Sequence, residues 1–337
     1  MKIYKIFFPL TLLFALTVSV YAQTSLTVAV IQSESKAGMV EKNLEHAYYL
    51  AEEAAQAGAR FILFPELMPS GYITDRNCWD SAEPFDGPTV QWLKHTAMDL
   101  KIWCGTSFIE VEGKDFYNTF VLAGPEGSIE GKVRKQWLAA HEFFCTTSFK
   151  APHIIETDFG KIGVAICYEG TIRRLMEELK EARVDLVLLP TADPVPEFAK
   201  DDNPTEWDHD LRDTAVLWAS VLGVPALLAN QAGLWVAKMP GLLPNQDSSF
   251  RGQSAIADYD GSLVAALDQE EGIALGTVHS NPLGSNTGEV PRYGRYCKPM
   301  PFFSRVYQVF VSAAGRTSYG LSVERRKKVV DRSGDEL

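Results

Sequence analysis

Four short, continuous apolar runs, "FILFPEL" (61–67), "KIGVAIC" (161–167), "VDLVLLP" (184–190) and "VPALLAN" (224–230), constrain this chain most. Runs of that length without polar alternation suit strands buried on both faces, as in a parallel sheet covered by helices. Helical spacing lies between them. "MVEKNLEHAYYLAEEAAQAG" (39–58) has an apolar stripe with Gly58 as its stop, and "GPTVQWLKHTAMDL" (87–100) and "TIRRLMEELKEAR" (171–183) repeat the pattern. A further helix is expected around 208–222. "SLTVAVIQ" (25–32) and "KIWCGTSFIEVEG" (101–113) read as strands, "YNTFVLAGPEGSIEGKVRK" (117–135) as two strands joined at Pro125–Gly127, and two more strands flank "YDG" (259–261). Strands alternating with helices in two similar halves predict two sheets packed face to face with helices outside. From 281 to 337 the pattern gives way to Pro, Gly and aromatics, and the expectation is an irregular arm that packs on the domain or on a partner subunit.

With 46% hydrophobic residues in 337, the chain has apolar material for one large domain, 23–280. A net charge of -11 excludes general affinity for nucleic acid or anionic membranes, and "ERRKK" (324–328) reads as a solvated helix or tail. Residues 1–22 form a separate object. Lys2 and Lys5 precede the short apolar stretch "IFFPLTLLFALTVSV", interrupted by Pro9, and small residues end at Ala22. That order is expected of a cleaved secretory signal, giving an exported protein without a stable membrane anchor; the alternative is an uncleaved anchor. Export makes the five cysteines informative. Five is odd, so one thiol stays free or pairs between chains. If that one is Cys167, then Cys78, Cys104, Cys145 and Cys297 allow three pairings, and all five as buried thiols is equally open.

Three residues stand just beyond strand-like segments: Glu66 in "LFPELMPSGY", Lys135 in "GKVRKQWLAAHE" and Cys167 in "GVAICYEG". Singly, each has an ordinary reading, as a helix-capping acid, a solvated lysine and a small core thiol. Together they supply acyl transfer: a thiol nucleophile, a carboxylate to take its proton and return it to a leaving amine, and a cation for a tetrahedral oxyanion. Backbone N–H groups after the cysteine, starting with Tyr168, complete an oxyanion hole. The six histidines show no metal-ligand spacing, no GxSxG occurs, and Gly-rich phosphate loops are absent, so neither metal nor cofactor is expected.

The order and spacing of these motifs, 69 residues from Glu66 to Lys135 and 32 more to Cys167, resemble the nitrilase superfamily of carbon–nitrogen hydrolases. Supporting stretches are "YNTFVLAGPEGSIEG", "VDLVLLPTA", "LLANQAG" and "FRGQSAIADYDGSL", so the resemblance runs over 26–280. It implies a four-layer α-β-β-α sandwich, usually a homodimer or higher homo-oligomer, with Glu66 as general base, Lys135 as cationic stabiliser and Cys167 as nucleophile. Glu142, seven residues after the lysine, is implied to position substrate or base, with a structural carboxylate as the equal alternative, and Glu169 is expected to order its loop. Many amidase-like members carry "RFPE" where this chain has "TIRRLMEE", a departure near the pocket mouth. The stretch 191–210, with Trp207, reads first as ordinary loop residues, with a pocket rim as the alternative. The reading is hydrolysis of a linear amide or N-carbamoyl small molecule. A nitrilase, an acyltransferase on the same thioester and a silent binding protein are the alternatives.

Overall fold

The computed structural model describes residues 24–335 apart from 159, 197–209, 238–245, 282–283 and 285–287. The signal segment and Trp207 lie outside the described residues. The first half runs β1 (Ser25–Gln32), α1 (Val40–Gln56), β2 (Phe61–Leu63), α2 (Pro88–Leu100), β3 (Trp103–Glu112), β4 (Asp115–Ala123) and β5 (Ile129–Arg134). The second runs β6 (Ile154–Thr157), β7 (Gly160–Val164), α3 (Arg173–Ala182), β8 (Leu186–Pro190), β9 (Pro194–Pro196), α4 (Arg212–Leu222) and β10 (Ala226–Ala229). Then come β11 (Leu234–Ala237), β12 (Gln246–Phe250), β13 (Ala255–Ala257), β14 (Leu263–Ala266), β15 (Gly272–His279), α5 (Phe302–Leu321) and α6 (Val323–Asp335).

The strands build two six-stranded sheets, in the orders β15-β1-β2-β3-β4-β5 and β14-β13-β10-β8-β7-β6, so that β15 returns from the far end of the chain to edge the first, and a three-stranded sheet β11-β12-β9. In both six-stranded sheets, three successive strands joined by two helices run parallel at the centre (β1, β2, β3 and β7, β8, β10), with antiparallel strands outside them. The expected duplication is present. Period-two alternation assigns the faces. Val28, Val30, Phe61, Leu63, Val164, Leu186, Leu188 and Leu227 fill the space between the sheets. Their neighbours Ala29, Ile31 and Ile62 pack under α1 and α2, while Val187, Leu189, Ala226 and Leu228 pack under α3 and α4. These parallel strands are buried on both faces, which is why they read as unbroken apolar runs. Helix stops follow local chemistry: α1 ends before Gly58 at φ 105°, where Ala59 N bonds Ala54 O at 3.0 Å.

The C-terminal segment departs from expectation. Its described residues up to 301 carry no helix or named strand, and α5 and α6 follow. Helix α5 packs within the chain on the 3-10 turn Ala140–Phe144: Gln308 Nε2 donates to Leu138 O at 2.9 Å, and Gly315 sits so close to Phe143 that a Cβ would approach its side chain to 2.7 Å. The basic run lies on α6 and is solvated except for buried Arg326, which pairs with Asp115 at 2.7 Å. Among the described residues no helix is long and apolar enough to cross a membrane. All five cysteines are free thiols: Cys104 lies against Leu93 O, Cys297 against Gly170 O, and Cys78 and Cys145 share the cluster beneath α5.

Candidate active site

Three strand exits meet at one place. Beyond β2, Phe64 N still bonds Gly105 O (2.9 Å), and the chain then turns through Leu67 at φ 50°. Glu66 is pinned there at both ends, its N–H donating to Thr191 O (3.2 Å) and its carbonyl accepting from Gln231 Nε2 (2.7 Å). Lys135 directly follows β5, held by its N–H to Asn118 O at 2.9 Å. Cys167 follows β7 and opens the 3-10 turn Cys167–Thr171 at φ 53°, a left-handed conformation that costs a non-glycine residue about 1 kcal/mol or more. The strain is held by Glu169. Its Oε2 accepts from Ile166 N (3.0 Å), and its Oε1 accepts from Gln136 N (2.7 Å) and Trp137 N (3.1 Å) and pairs with His153 Nε2 (3.0 Å). One buried carboxylate thus ties the turn of Cys167 to that of Lys135, so Glu169 orders its loop. Burial alone would raise the Glu169 pKa, but His153 outweighs it and holds the carboxyl below its usual value.

The charged groups form one cluster. Lys135 Nζ donates to Glu66 Oε1 at 2.6 Å and to Glu142 Oε1 at 2.9 Å, and all three side chains are buried. Asn118 Nδ2 donates to the same two oxygens, at 2.7 and 2.9 Å, and Glu142 Oε2 accepts from Ala139 N at 2.6 Å. Sequence reasoning does not single out Asn118. It sits in "YNTF", and its inward place on β4, beside the strand that Lys135 directly follows, is the available signal. Of the seven buried side-chain oxygens that lack partners among the described residues, three lie here, Glu66 Oε2, Asn118 Oδ1 and Gln231 Oε1, and the other four are hydroxyls of Ser33, Ser35, Thr74 and Thr96. The three at the site are carboxylate and amide oxygens, and such groups are rarely left bare unless a substrate or water completes them.

Burial pushes Glu66 up to about 7, with Lys135 pulling down and Glu142 pushing further up; the Cys167 thiol also acts on it. Burial would lower the Lys135 pKa, but Glu142 and Glu66 hold it above the usual lysine value, so it remains an ammonium. Burial and the Glu66 charge push the Cys167 thiol well above its usual value, against the pull of Lys135. That direction favours the thiol form of Cys167 at rest. Around the cluster, Tyr72 is buried and its ring lies 5.9 Å from that of Trp235, which donates Nε1–H to Tyr72 O. His141, pushed down to about 4 by burial, packs between Trp235 and Tyr307 of α5. The C-terminal helix therefore backs one wall of the site. Tyr168 turns its hydroxyl to Tyr296 (3.2 Å), and its backbone N–H has no acceptor among the described residues. Of the stretch 191–210, residues 191–196 and 210 are described; Asp193 pairs with Arg251 at 3.2 Å and Asp210 with Arg212 at 2.6 Å.

Two sheets back to back under helices, with thiol, carboxylate and ammonium gathered at strand ends, define a hydrolase of the α-β-β-α class. The chain belongs to the carbon-nitrogen hydrolase family, whose profile matches residues 27–285. A chloroplastic omega-amidase of Arabidopsis thaliana is 27% identical over 74% of this chain and 67% of its own length. An N-carbamoylputrescine amidase of Solanum tuberosum is 27% identical over 70% and 80%. The crystal structure of a carbon-nitrogen hydrolase from Helicobacter pylori superimposes with a TM-score of 0.66 at 21% identity, over 76% of this chain and 89% of that one.

Proposed function

We propose that this chain hydrolyses a linear amide or N-carbamoyl bond through a thioester on Cys167. The observation that carries the reading is the divided Glu66 carboxylate: Oε1 is held by Lys135 and Asn118, while Oε2 is buried without a partner and the thiol is close enough to act on the group. Because the thiol is not ionised at rest, attack on the carbonyl requires a base at that moment, and a carboxyl near neutrality is suited to take the proton and give it back. Sulfur adds to the carbonyl carbon as its proton passes to Glu66. Lys135, which spends two donors on Glu66 and Glu142, has one left for the oxyanion, and the Tyr168 N–H is the second donor. Collapse breaks the carbon–nitrogen bond, and the amine leaves with the proton from Glu66. Water, deprotonated by Glu66, then attacks the thioester and frees the acid and the thiol. Glu142 fixes the lysine and Asn118.

The amide-cleaving names of the relatives support the choice of bond, as does "CYE" at the cysteine motif, where nitrile-cleaving members usually have "CWE". Intact-protein mass spectrometry with a matched panel of amides, carbamoyl compounds and nitriles tests it. An acyl adduct on Cys167 from the amides supports the reading, and a consistent nitrile preference in kcat/KM overturns it. Export after cleavage at Ala22 and assembly as a homo-oligomer are part of the proposal, supported by the N-terminal pattern and the family resemblance. N-terminal sequencing from the native host and light scattering are their tests.

A further inference from the structure

The segment after residue 285 lies outside the span that the family profile matches, yet it reaches the nucleophile's turn. Cys297 N donates to Thr171 O at 2.9 Å, Cys297 Sγ lies against Gly170 O, and Ile172 and Tyr296 form a β-bridge. Tyr296 is buried, with its hydroxyl 3.2 Å from that of Tyr168. Residues 296–297 are therefore clamped onto the turn that Cys167 opens, and the next residue is Lys298. Its ammonium is partly buried and donates to Thr214 Oγ1 at 3.0 Å. No carboxylate among the described residues is within ion-pair distance of it.

The neighbourhood is cationic. Lys298 is within electrostatic range of Asp193, Cys167 and Arg251. Asp193 is engaged by Arg251, and Arg295 adds a further guanidinium over the Tyr296 ring, with Nη2 3.5 Å from the Tyr168 hydroxyl. The other half of the site has the opposite balance, with two carboxylates around Lys135. An ammonium taken partly out of water with one hydroxyl partner has donors to spare, and a charged hydrogen bond is the interaction it lacks.

We infer that Lys298, carried to the site by the C-terminal arm, binds a carboxylate borne by the substrate, so that the enzyme selects amides or carbamoyl compounds with an anionic far end. This rests on the hydrolase reading above and names its substrate class. The alternative is a structural lysine that only ties the arm to α4 through Thr214.

The test is a set of straight-chain amides of equal length ending in a methyl group, a carboxylate or an ammonium, assayed on the full chain. The wild type should favour the carboxylate by roughly ten- to hundredfold in kcat/KM, the range of one charged hydrogen bond. Lys298→Gln should lose that preference through KM, and Lys298→Glu should turn it toward the ammonium-ended amide. A wild type that cleaves all three without charge preference overturns the inference, whether or not the variants fold. So does a preference unchanged in Lys298→Gln, or a loss of stability in that variant with substrate ranking intact. If no amide is cleaved and no adduct forms on Cys167, the hydrolase reading itself has failed.

Discussion

Arg134 and Lys135 are consecutive, yet they serve two charge clusters of opposite design. Glu110 lies between two cations: Oε1 accepts from Lys132 (2.6 Å) and Arg134 Nη2 (2.7 Å), and Oε2 accepts from Arg134 Nε (2.8 Å) and Thr119 Oγ1 (2.7 Å). Arg134 continues to Glu112 at 2.9 Å and stacks over Tyr117, so two acids face two bases. At the site one lysine lies between two carboxylates, and one oxygen of Glu66 goes unpartnered. Burial raises the pKa of both glutamates, but at Glu110 the ion pairs win and hold the carboxyl below its usual value, whereas Glu66 stands at about 7. Full satisfaction makes a structural ion pair; one cation too few makes a proton acceptor.

The comparison breaks most sharply at the nucleophile. Cys167→Ala should lose turnover by on the order of 10^4-fold or more while keeping the wild-type circular dichroism spectrum, because no other group can form the acyl-enzyme. Substantial residual activity on the same substrate would sink the mechanism. Glu66→Gln comes next, with kcat down by about 10^2- to 10^4-fold and no loss of stability, since it removes one charge from a cluster with an excess carboxylate. The mirror-image change, Arg134→Ala, should cost about 3–5 kcal/mol in urea unfolding by leaving Glu110 without its main partner, with kcat near the wild-type value. Equal effects of the two variants on stability and on rate would erase the distinction between the clusters.

A smaller effect sharpens it with pH. The Glu66 pKa is raised in the folded state, so its contribution to stability is full below the unfolded carboxylate pKa and is lost as pH rises through about 7. The Glu110 pKa is lowered, so its contribution is present above the unfolded value and is lost as pH falls through the folded one. Urea midpoints across pH should therefore respond in opposite directions to Glu66→Gln and Glu110→Gln. The acid limb of kcat/KM should fall near pH 7 and belong to Glu66; a limb at the ordinary carboxylate value would refute the raised pKa. The smallest change is Arg174→Ala, which breaks the exposed i,i+4 pair with Glu178 on α3 and should cost under about 0.5 kcal/mol.

Much of this architecture is legible in the amino-acid sequence wherever its cause is local. Continuous apolar runs mark β2, β7, β8 and β10, and 3.6-residue spacing marks α1 to α4, because burial on both faces or on one stripe leaves a periodic trace. The site motifs are legible because Glu66 and Cys167 close such runs and Lys135 directly follows a strand. The C-terminal helices are not: Gly315 looks like a breaker, and only the closeness of Phe143 explains its place in α5. Strand β15, paired with β1 from Ser25↔His279 to Gln32↔Gly272, escapes the pattern because its partner is distant in sequence.

What the sequence by itself determined is therefore the layer order and the twofold repeat, carried by neighbours along the chain, and the three strand-end positions Glu66, Lys135 and Cys167, carried by motif order and spacing. Only the tertiary structure decided that Asn118 would bridge Glu66 and Glu142, that Lys135 would be buried between two acids while Arg134 was neutralised, and that Lys298 would arrive within electrostatic range of Cys167. Those outcomes depend on burial and on the sum of charges from residues far apart in sequence. A carboxylate's desolvation and its partners exist only once the strand ends have been brought together.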